Sequence, residues 1–118
     1  MINNSFSPTY RLRKSIEFAS VFRRSKRFSA GKLTILCKPN GLSYPRLGLS
    51  IGRKRVRRAV DRNRIKRVTR EVFRHHKKKI GGVDLILIVG KMPKNVDRIE
   101  VKQWLEELMK QLINYYES

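Results

Sequence analysis

The sequence has few acidic side chains, a single cysteine and no long apolar run. Asp and Glu number 9 against 29 Lys and Arg in 118 residues, so the formal net charge is +20. With Cys37 alone, an internal disulfide and a cysteine-based zinc site are excluded. The longest apolar run, 83–89, is interrupted by Asp84 and falls far short of the roughly 20 residues that a membrane-spanning helix needs. The polar first ten residues lack the apolar centre of an export signal, so we expect a cytoplasmic protein.

Positive charge is concentrated in the first three quarters of the chain. Residues 1–91 carry 25 Lys and Arg against 4 Asp and Glu, whereas residues 92–118 carry 4 against 5. Scattered surface charges are largely screened at physiological salt, so this excess contributes little to folding and favours neutralisation of a polyanion. An anionic membrane surface and simple solubility are the alternatives. We predict a nucleic-acid partner, held by residues 1–91, and no membrane partner.

The apolar pattern begins with a helix. Length and a 40% hydrophobic content indicate one domain over residues 1–118, with residues 1–10 disordered. After Ser15, which is suited to cap a helix, apolar side chains recur at i, i+3 and i+4. This spacing predicts a first helix that ends near Arg24 and has Phe18, Val21 and Phe22 on one side.

Four segments are typical of strands. Segments 32–38 and 46–51 are rich in β-forming residues and flank a turn at 40–45, so we predict that they pair antiparallel. Segment 28–30 is a candidate short edge strand. Segment 83–89 is apolar almost throughout, which indicates a central strand covered on both faces. Cys37 is expected to be a buried strand residue.

Two further helices complete the predicted α+β domain. Residues 59–79 contain no Gly or Pro, and Gly81-Gly82 follows them. Apolar residues at helical spacing predict a C-terminal helix over 101–117. The predicted order is helix, two or three strands, helix, strand, helix.

The middle helix has one apolar side and one basic side. Between Arg53 and Lys79 there are 14 basic and 2 acidic residues. At about 100° per residue, an apolar stripe of Ile65, Val68 and Val72 lies opposite an arc that contains Asn63, Lys66, Arg67, Arg70 and Arg74. Guanidinium forks and an amide suit RNA phosphates and exposed base edges. A merely solvated face is the alternative, but such faces normally mix both signs of charge.

The basic region offers little for catalysis by the protein itself. No carboxylate there stands at a familiar metal-ligand spacing from a histidine. The adjacent His75 and His76 would point about 100° apart on a helix, so we place them on the solvent side. We expect Asp61 and Glu71 to orient neighbouring arginines by ion pairs. We also expect no catalytic residue and no bound metal ion in this chain.

Several segments resemble one known family. The run 59–71, AVDRNRIKRVTRE, resembles the RNR signature of the bacterial ribonuclease P protein family, and the run 46–54, RLGLSIGRK, is similar to the strand before that signature. Residues 11–14 with Phe18 and Phe22, and residues 84–89, match further segments. The resemblance covers about residues 10–113.

The resemblance implies a particular fold. It is an α/β sandwich of order α-β-β-β-α-β-α, similar to ribosomal protein S5. The RNR helix crosses between two parallel central strands with left-handed topology. General rules favour a right-handed crossover, so this expectation rests on the resemblance alone.

The resemblance also implies a function. Family members assist a catalytic RNA that removes the 5′ leader from precursor tRNA, and the RNA holds the active site with its Mg²⁺. The residues that match the motif and would bind the catalytic RNA are Arg53, Lys54, Arg62, Asn63, Arg64, Lys66, Arg67 and Arg70. The expected leader-binding residues are Lys14, Phe18, Phe22 and Leu36, and some family members have an aromatic residue where this chain has Leu36.

Other interpretations remain open from the residues alone. A structural RNA-binding protein of the ribosomal type needs the same basic α+β domain. A sequence-specific DNA binder would need a compact helix-turn-helix, which the flanking strands argue against, so no DNA partner is expected. Phe18 and Phe22 are suited either to the core or to a basic cleft that stacks single-stranded bases.

Overall fold

The structure is a computed structural model that describes residues 10–12, 15–23, 25–92 and 95–117, with the backbone alone at 15–17. The predicted disorder of 1–10, apart from Tyr10, and the predicted role of Lys14 lie outside these residues. The elements are α1 (Ser15–Phe22), β1 (Lys26–Ala30), β2 (Leu33–Pro39), β3 (Arg46–Ser50), α2 (Ala59–Ile80), β4 (Val83–Val89) and α3 (Arg98–Glu117). The predicted α+β class and element order are confirmed.

The four strands form one mixed sheet in the order β1-β2-β4-β3. The predicted pairing of segments 32–38 and 46–51 is wrong, because β4 lies between them, antiparallel to β2 and parallel to β3. The reason is that β4 is apolar on both faces and is buried over nearly its whole length. A central position is the place where such a strand loses most water-exposed apolar area. The loop at 40–45 therefore spans the width of β4 instead of closing a hairpin.

The larger core lies on the sheet face that α2 and α3 cover. Alternate strand residues such as Ile35, Leu85 and Leu87 point to this face and are at most 1% exposed. They pack with Ile65 and Phe73 of α2, and α3 adds its own buried stripe of Val101, Leu105, Leu108 and Leu112. Burial of Cys37 in this core is confirmed. The opposite face of the sheet carries a smaller cluster beneath α1.

The crossover from β3 through α2 to β4 is left-handed. Hydrogen bonds from Asn40 N to Gly82 O (3.0 Å) and from Gly90 N to Lys32 O (2.8 Å) continue the β2–β4 ladder, so even-numbered β4 residues direct N–H and C=O toward β2. Leu85 therefore directs its own toward β3. Consider a strand that runs upward and is viewed from the side toward which one residue's side chain points. The N–H and C=O groups of that L-residue then point to the right. Because Leu85 faces α2, β3 lies to the right of β4 and the chain crosses to the left, against the usual rule.

Local interactions set the C-terminus of α2 and the N-terminus of α3. Helix α2 runs without Gly or Pro to Gly81, whose φ of 75° breaks the helix and whose N–H donates to Lys77 O. Helix α3 begins at Arg98, three residues before the predicted start. The carboxylate of Asp97 accepts hydrogen bonds from the N–H groups of Ile99 (2.9 Å) and Glu100 (3.4 Å), which is an N-cap. None of the helices described has the length and apolarity to cross a membrane.

A buried ion pair joins β3 to β4 on the α1 side of the sheet. Asp84, only 6% exposed, accepts hydrogen bonds from Arg46 Nε (2.8 Å) and Nη2 (2.7 Å) and from Asn40 Nδ2 (2.9 Å). Asn40 also braces the 40–45 loop through the Tyr44 carbonyl and the Leu42 N–H. Asp84 thus holds the loop and both parallel strands together.

Asp84→Ala should lower the free energy of unfolding by about 2 kcal/mol, because the Arg46 guanidinium loses its paired acceptor in a largely buried position. Urea unfolding followed by circular dichroism measures the loss. The double variant Arg46→Met with Asp84→Leu is the control, since it removes both charges together. Equal destabilisation by the single and double variants would contradict the ion-pair explanation.

Candidate nucleic-acid interface

The outward side of α2 carries a row of polar and basic side chains. Asn63 and Arg67 are exposed, whereas Lys66, Arg70 and Arg74 are half-buried. The buried side of the same helix holds Ile65, Thr69, Val72 and Phe73, which fixes the rotation of α2 against the sheet. We call this row of five the α2 basic face. It presents donors in the arc that the periodicity predicts.

Arg62 belongs to the motif but its side chain lies against the protein. Its Nη1 donates to the carbonyls of Val56 (2.9 Å) and Arg57 (2.9 Å). The turn before α2 is further closed by hydrogen bonds from Arg55 N and Val56 N to Gly52 O, and Val56 is buried beneath it. Arg62 therefore positions the turn that leads into α2.

That turn exposes Arg53 and Lys54. Both side chains lie at its outer surface, while the buried Val56 anchors the turn to the core. The turn directly precedes the first turn of α2, so the two predicted RNA-binding cations extend the α2 basic face beyond the helix N-terminus.

Arg64 points toward α3. Its Nη1 donates to the Val96 carbonyl at 3.2 Å. Next to it, Asp61 is 2% exposed and its carboxylate accepts a hydrogen bond from Val96 N (3.4 Å). The same carboxylate lies 3.5 Å from Arg58 Nε, and Arg58 Nη1 donates to Asn95 Oδ1 (2.7 Å). The expectation that Asp61 orients an arginine is confirmed. These contacts fasten the segment before α3 to the start of α2.

Two contacts fasten the N-terminal segment, one to β3 and one to α2. Arg11 forms a parallel bridge with Leu47 at the sheet edge, and Tyr10 lies 4.2 Å from Lys77 Nζ in a cation–π contact. Burial lowers the pKa of the Arg70 guanidinium, and the neighbouring Arg11 cation lowers it further. The Arg11 cation thus adds positive charge near Arg70 at one flank of the α2 basic face.

The structure brings two more cations to this surface that the sequence analysis missed. Arg98 and Lys102 of α3 lie across a groove from Arg64 and Arg67 of α2. We call this the α2–α3 groove. The division of charge along the chain assigned binding to residues 1–91 and so overlooked them. Arg98 and Lys102 are four residues apart, which places both on one exposed side of α3, away from the buried Val101 stripe. This spacing is the sequence signal for them.

Beneath α1, Phe18 and Leu36 contribute to the smaller cluster. Leu36 is 4% exposed and packs with Val21 and Ile86. The Phe18 ring is half-buried on this cluster and lies against Gly48, where an added Cβ would be 2.6 Å from the ring. Gly48 is therefore required for α1 to approach the sheet closely. Leu36 lies under the helix and Phe18 lies at its edge.

Phe22 stands apart from these residues, since 52% of it is exposed. It ends α1 beside the exposed Arg23. Lys38 Nζ donates to the Ser20 carbonyl (3.2 Å), which places another cation along this helix. On the neighbouring strands, Arg27 is exposed opposite Leu36. An exposed ring among cations is the arrangement that binds single-stranded nucleic acid. Phe18 is thus half-buried and Phe22 is exposed, although helical spacing predicts both on the same side of α1.

The histidines and acidic residues form no cluster of three or more that could hold a metal ion, as far as the described residues go. His75 is exposed as predicted, but the solvent-side prediction for His76 is wrong. Its Nδ1 lies 2.8 Å from the Val72 carbonyl and its Nε2 lies 3.2 Å from Glu106 Oε1 on α3. The physical reason is that α3 packs beside α2 and covers that flank.

A mixed sheet with a left-handed crossover helix, whose outer side is an array of Arg, Lys and Asn, defines a small basic RNA-binding protein. The family model described as Ribonuclease P matches residues 6–113. The chain belongs to the ribonuclease P protein family. It is 40% identical over 102 residues to the ribonuclease P protein component of Methylococcus capsulatus, covering 86% of this chain and 80% of that one. It is also 40% identical over 108 residues to that of Edwardsiella ictaluri, covering 92% and 91%.

Solved structures have the same fold. An RNase P protein from Staphylococcus aureus superposes with a TM-score of 0.78 at 29% identity, covering 86% of this chain and 94% of that one. The Thermotoga maritima RNase P protein in complex with 1-(4-fluorophenyl)-2-thiourea has a TM-score of 0.72 at 34% identity, covering 86% and 98%. A further Staphylococcus aureus structure is of a mutant with defective mRNA degradation activity.

Family membership decides between the functions that composition leaves open. The chain functions in tRNA processing as the protein subunit of ribonuclease P, rather than as a structural protein of the ribosomal type. Its partner is RNA, in agreement with the charge of the α2 basic face.

Proposed function

We propose that the α2 basic face, together with Arg53 and Lys54, binds the catalytic RNA of ribonuclease P in the cytoplasm. The α1 side of the sheet binds the 5′ leader of precursor tRNA. The active site and its Mg²⁺ belong to the RNA, and this chain binds no metal ion of its own. The observation that carries the proposal is that one rigid helix presents Asn63, Lys66 and Arg67 outward while its other side is locked into the core.

The charge distribution supports the catalytic-RNA part of the proposal. Arg53 and Lys54 continue the α2 basic face at one end of the helix, so guanidinium and ammonium groups of the turn and the helix lie along one surface. Guanidinium forks match phosphate oxygens in pairs, and release of counterions from RNA makes the contact favourable. Arg62 and Arg64 contribute by holding the turn and the groove in place.

The α1 side of the sheet supports the leader part of the proposal. It combines the exposed Phe22 ring, the edge of the Phe18 ring and the cations Arg27 and Lys38. Aromatic stacking with backbone-tracking cations binds single strands with little sequence demand, which suits leaders of differing sequence. Leu36 supplies the apolar base beneath α1, and Lys14, just before α1 in the chain, would add a further cation to leader binding.

In this proposal the protein neutralises charge and the RNA cleaves, which leads to a kinetic prediction. The protein without RNA should not cut precursor tRNA at any Mg²⁺ concentration, and addition of the protein to its catalytic RNA should lower the Mg²⁺ concentration needed for cleavage. The reason is that 29 Lys and Arg replace divalent ions as neutralising charge on the RNA. Cleavage of end-labelled precursor across a Mg²⁺ series, with and without the protein, measures both effects.

The control tests whether the protein cleaves RNA by itself. For the Staphylococcus aureus relative this is a specific alternative, because one of its structures is of a mutant with defective mRNA degradation activity. Among the acidic residues of the basic region, Glu71 is exposed on α2 whereas Asp61 is buried in the joint to α3. Cleavage of RNA by nuclease-free protein that is lost in Glu71→Gln would contradict the assignment of the active site to the RNA.

A further inference from the structure

Some features of the α2–α3 groove are not needed for contact with the RNA backbone. Its volume is about 590 Å³, within the roughly 300 to 1,000 Å³ of small-molecule sites. Two aliphatic side chains on opposite walls are unusually exposed. Ile99 of α3 is 71% exposed and Val60 of α2 is 49% exposed, and Val68 also lines the groove. Phosphates gain nothing from such walls, whereas the flat apolar faces of a ring would remove them from water.

The polar groups of the groove indicate what such a ring would carry at its edge. Asn63 both donates and accepts hydrogen bonds, and Glu71 is an exposed carboxylate in a lining that also holds the cations Arg64, Arg67, Arg98 and Lys102. A carboxylate repels phosphate, so it weakens a purely electrostatic site. It accepts hydrogen bonds from the amino group of a base, as acidic side chains do with cytosine.

The groove is held open by the protein itself. The hydrogen bonds from Arg64 and Arg58 to the 95–97 segment, and from Val96 N to the buried Asp61, fix the start of α3 against α2. Asp97 caps α3 immediately before Ile99. A preformed site does not have to be ordered on binding, so less of the interaction free energy is lost.

We propose that the α2–α3 groove binds one unpaired nucleobase of the catalytic RNA, a base with an exocyclic amino group. The ring lies against Ile99, its edge faces Glu71, and the flanking phosphates contact Arg67, Arg98 and Lys102. Unpaired bases are the parts of RNA whose faces and edges are accessible to proteins. This inference rests on the proposed function, since it requires the α2 basic face to contact the catalytic RNA.

Ile99→Ala tests the apolar part of the site without changing charge. Its affinity for the catalytic RNA should fall roughly tenfold, because about half of the side chain's transfer free energy is lost. The slope of log affinity against log salt should stay unchanged, whereas Arg98→Ala should lower that slope by about 0.7 to 0.9. Leu42→Ala is the matched control. Leu42 is 39% exposed, but it lies beside Gly82 at the opposite end of α2 and should bind like the unmodified protein.

Chemical probing at saturating protein then identifies the base. Dimethyl sulfate and kethoxal react with the pairing edges of unpaired bases. The unmodified protein should protect one such base, Ile99→Asp should expose it again, and Leu42→Ala should leave it protected. Circular dichroism confirms that each variant is folded, as expected for an exposed position in the first turn of α3.

The outcomes separate this inference from the proposed function. Unchanged affinity and an unchanged base footprint with Ile99→Ala, while Arg98→Ala lowers the salt slope, would mean that the groove contacts backbone only and would overturn the inference. A change of oligomeric state in Ile99→Asp with intact RNA affinity would make the groove an interface between copies, which also overturns it. Failure of the unmodified protein to bind the catalytic RNA would instead contradict the proposed function.

Discussion

Replacement of Lys66 and Arg67 together by alanine is expected to weaken binding to the catalytic RNA roughly 10- to 100-fold at moderate salt, since two charge-assisted contacts are lost. The salt slope should fall by about 1.4 to 1.8, which is about 0.7 to 0.9 per phosphate contact. Both side chains lie off the buried side of α2, so the fold should persist. Filter binding over a salt series measures affinity and slope, and circular dichroism checks the fold.

The control for this prediction is a variant with the same loss of charge elsewhere. Lys32 follows β1 and Lys110 lies on the outer side of α3, and both are exposed. Lys32→Ala with Lys110→Ala should change affinity and slope far less than the α2 variant. Equal effects of the two double variants would show that only net charge matters, and that the α2 basic face is a solvated surface.

Arg62 is better tested separately, because its hydrogen bonds to the Val56 and Arg57 carbonyls give it a structural role. Had Arg62→Ala been combined with the α2 changes, a loss of RNA affinity could have come from a displaced turn. A shift of Arg53 and Lys54 would follow such a displacement, since the turn that carries them depends on Arg62.

Phe18→Ala is expected to lower the free energy of unfolding by about 2 to 3 kcal/mol, because the ring packs on the cluster beneath α1 and a cavity would replace it. For a domain of this size the melting temperature should fall by roughly 10 °C. Gly48→Ala should destabilise in the same direction, since the added methyl group would displace the Phe18 ring. Thermal unfolding by circular dichroism measures both variants.

Phe22→Ala should give the opposite result. With 52% of the residue exposed, the stability change should stay within about 0.5 kcal/mol. Affinity of the protein–RNA complex for precursor tRNA should fall by about 1 to 3 kcal/mol through loss of one stacking contact, with affinity for leaderless mature tRNA unchanged.

Tyr115→Ala is the matched control for Phe22, because Tyr115 is also an exposed aromatic residue, at 47%, but lies on α3 against Phe28. It should leave the preference for leader-bearing tRNA intact. Equal loss of affinity for precursor and mature tRNA in Phe22→Ala would remove the leader assignment from α1, while the catalytic-RNA assignment of α2 would stand.

Most elements could be predicted from the sequence because their signals are local. Helix α2 is defined by its Ile65 stripe and by Gly81, and the predicted range 59–79 differs from the structure by one residue. Strand β4 is apolar except at Asp84, and its central position was correctly predicted from that property. The outward direction of Asn63 and Arg67 also follows from helical period alone.

Other features depend on contacts between residues far apart in the chain. The direct pairing predicted for β2 and β3 failed because β4, more than 30 residues later, lies between them. Phe18 and Phe22 share one helix, yet only Phe18 meets Gly48 of β3. Arg98 and Lys102 join the basic surface only because α3 packs beside α2.

The sequence by itself determined the class of fold, the α2 basic face and the family, since composition, periodicity and a contiguous motif are properties of neighbouring residues. Only the tertiary structure decided which arginines bind the protein's own carbonyls, as Arg62 and Arg64 do, and which side chains form the α2–α3 groove. The physical reason is that the packing of α2 and α3 on one face of the sheet sets these distances, and no local pattern encodes the distance between two helices.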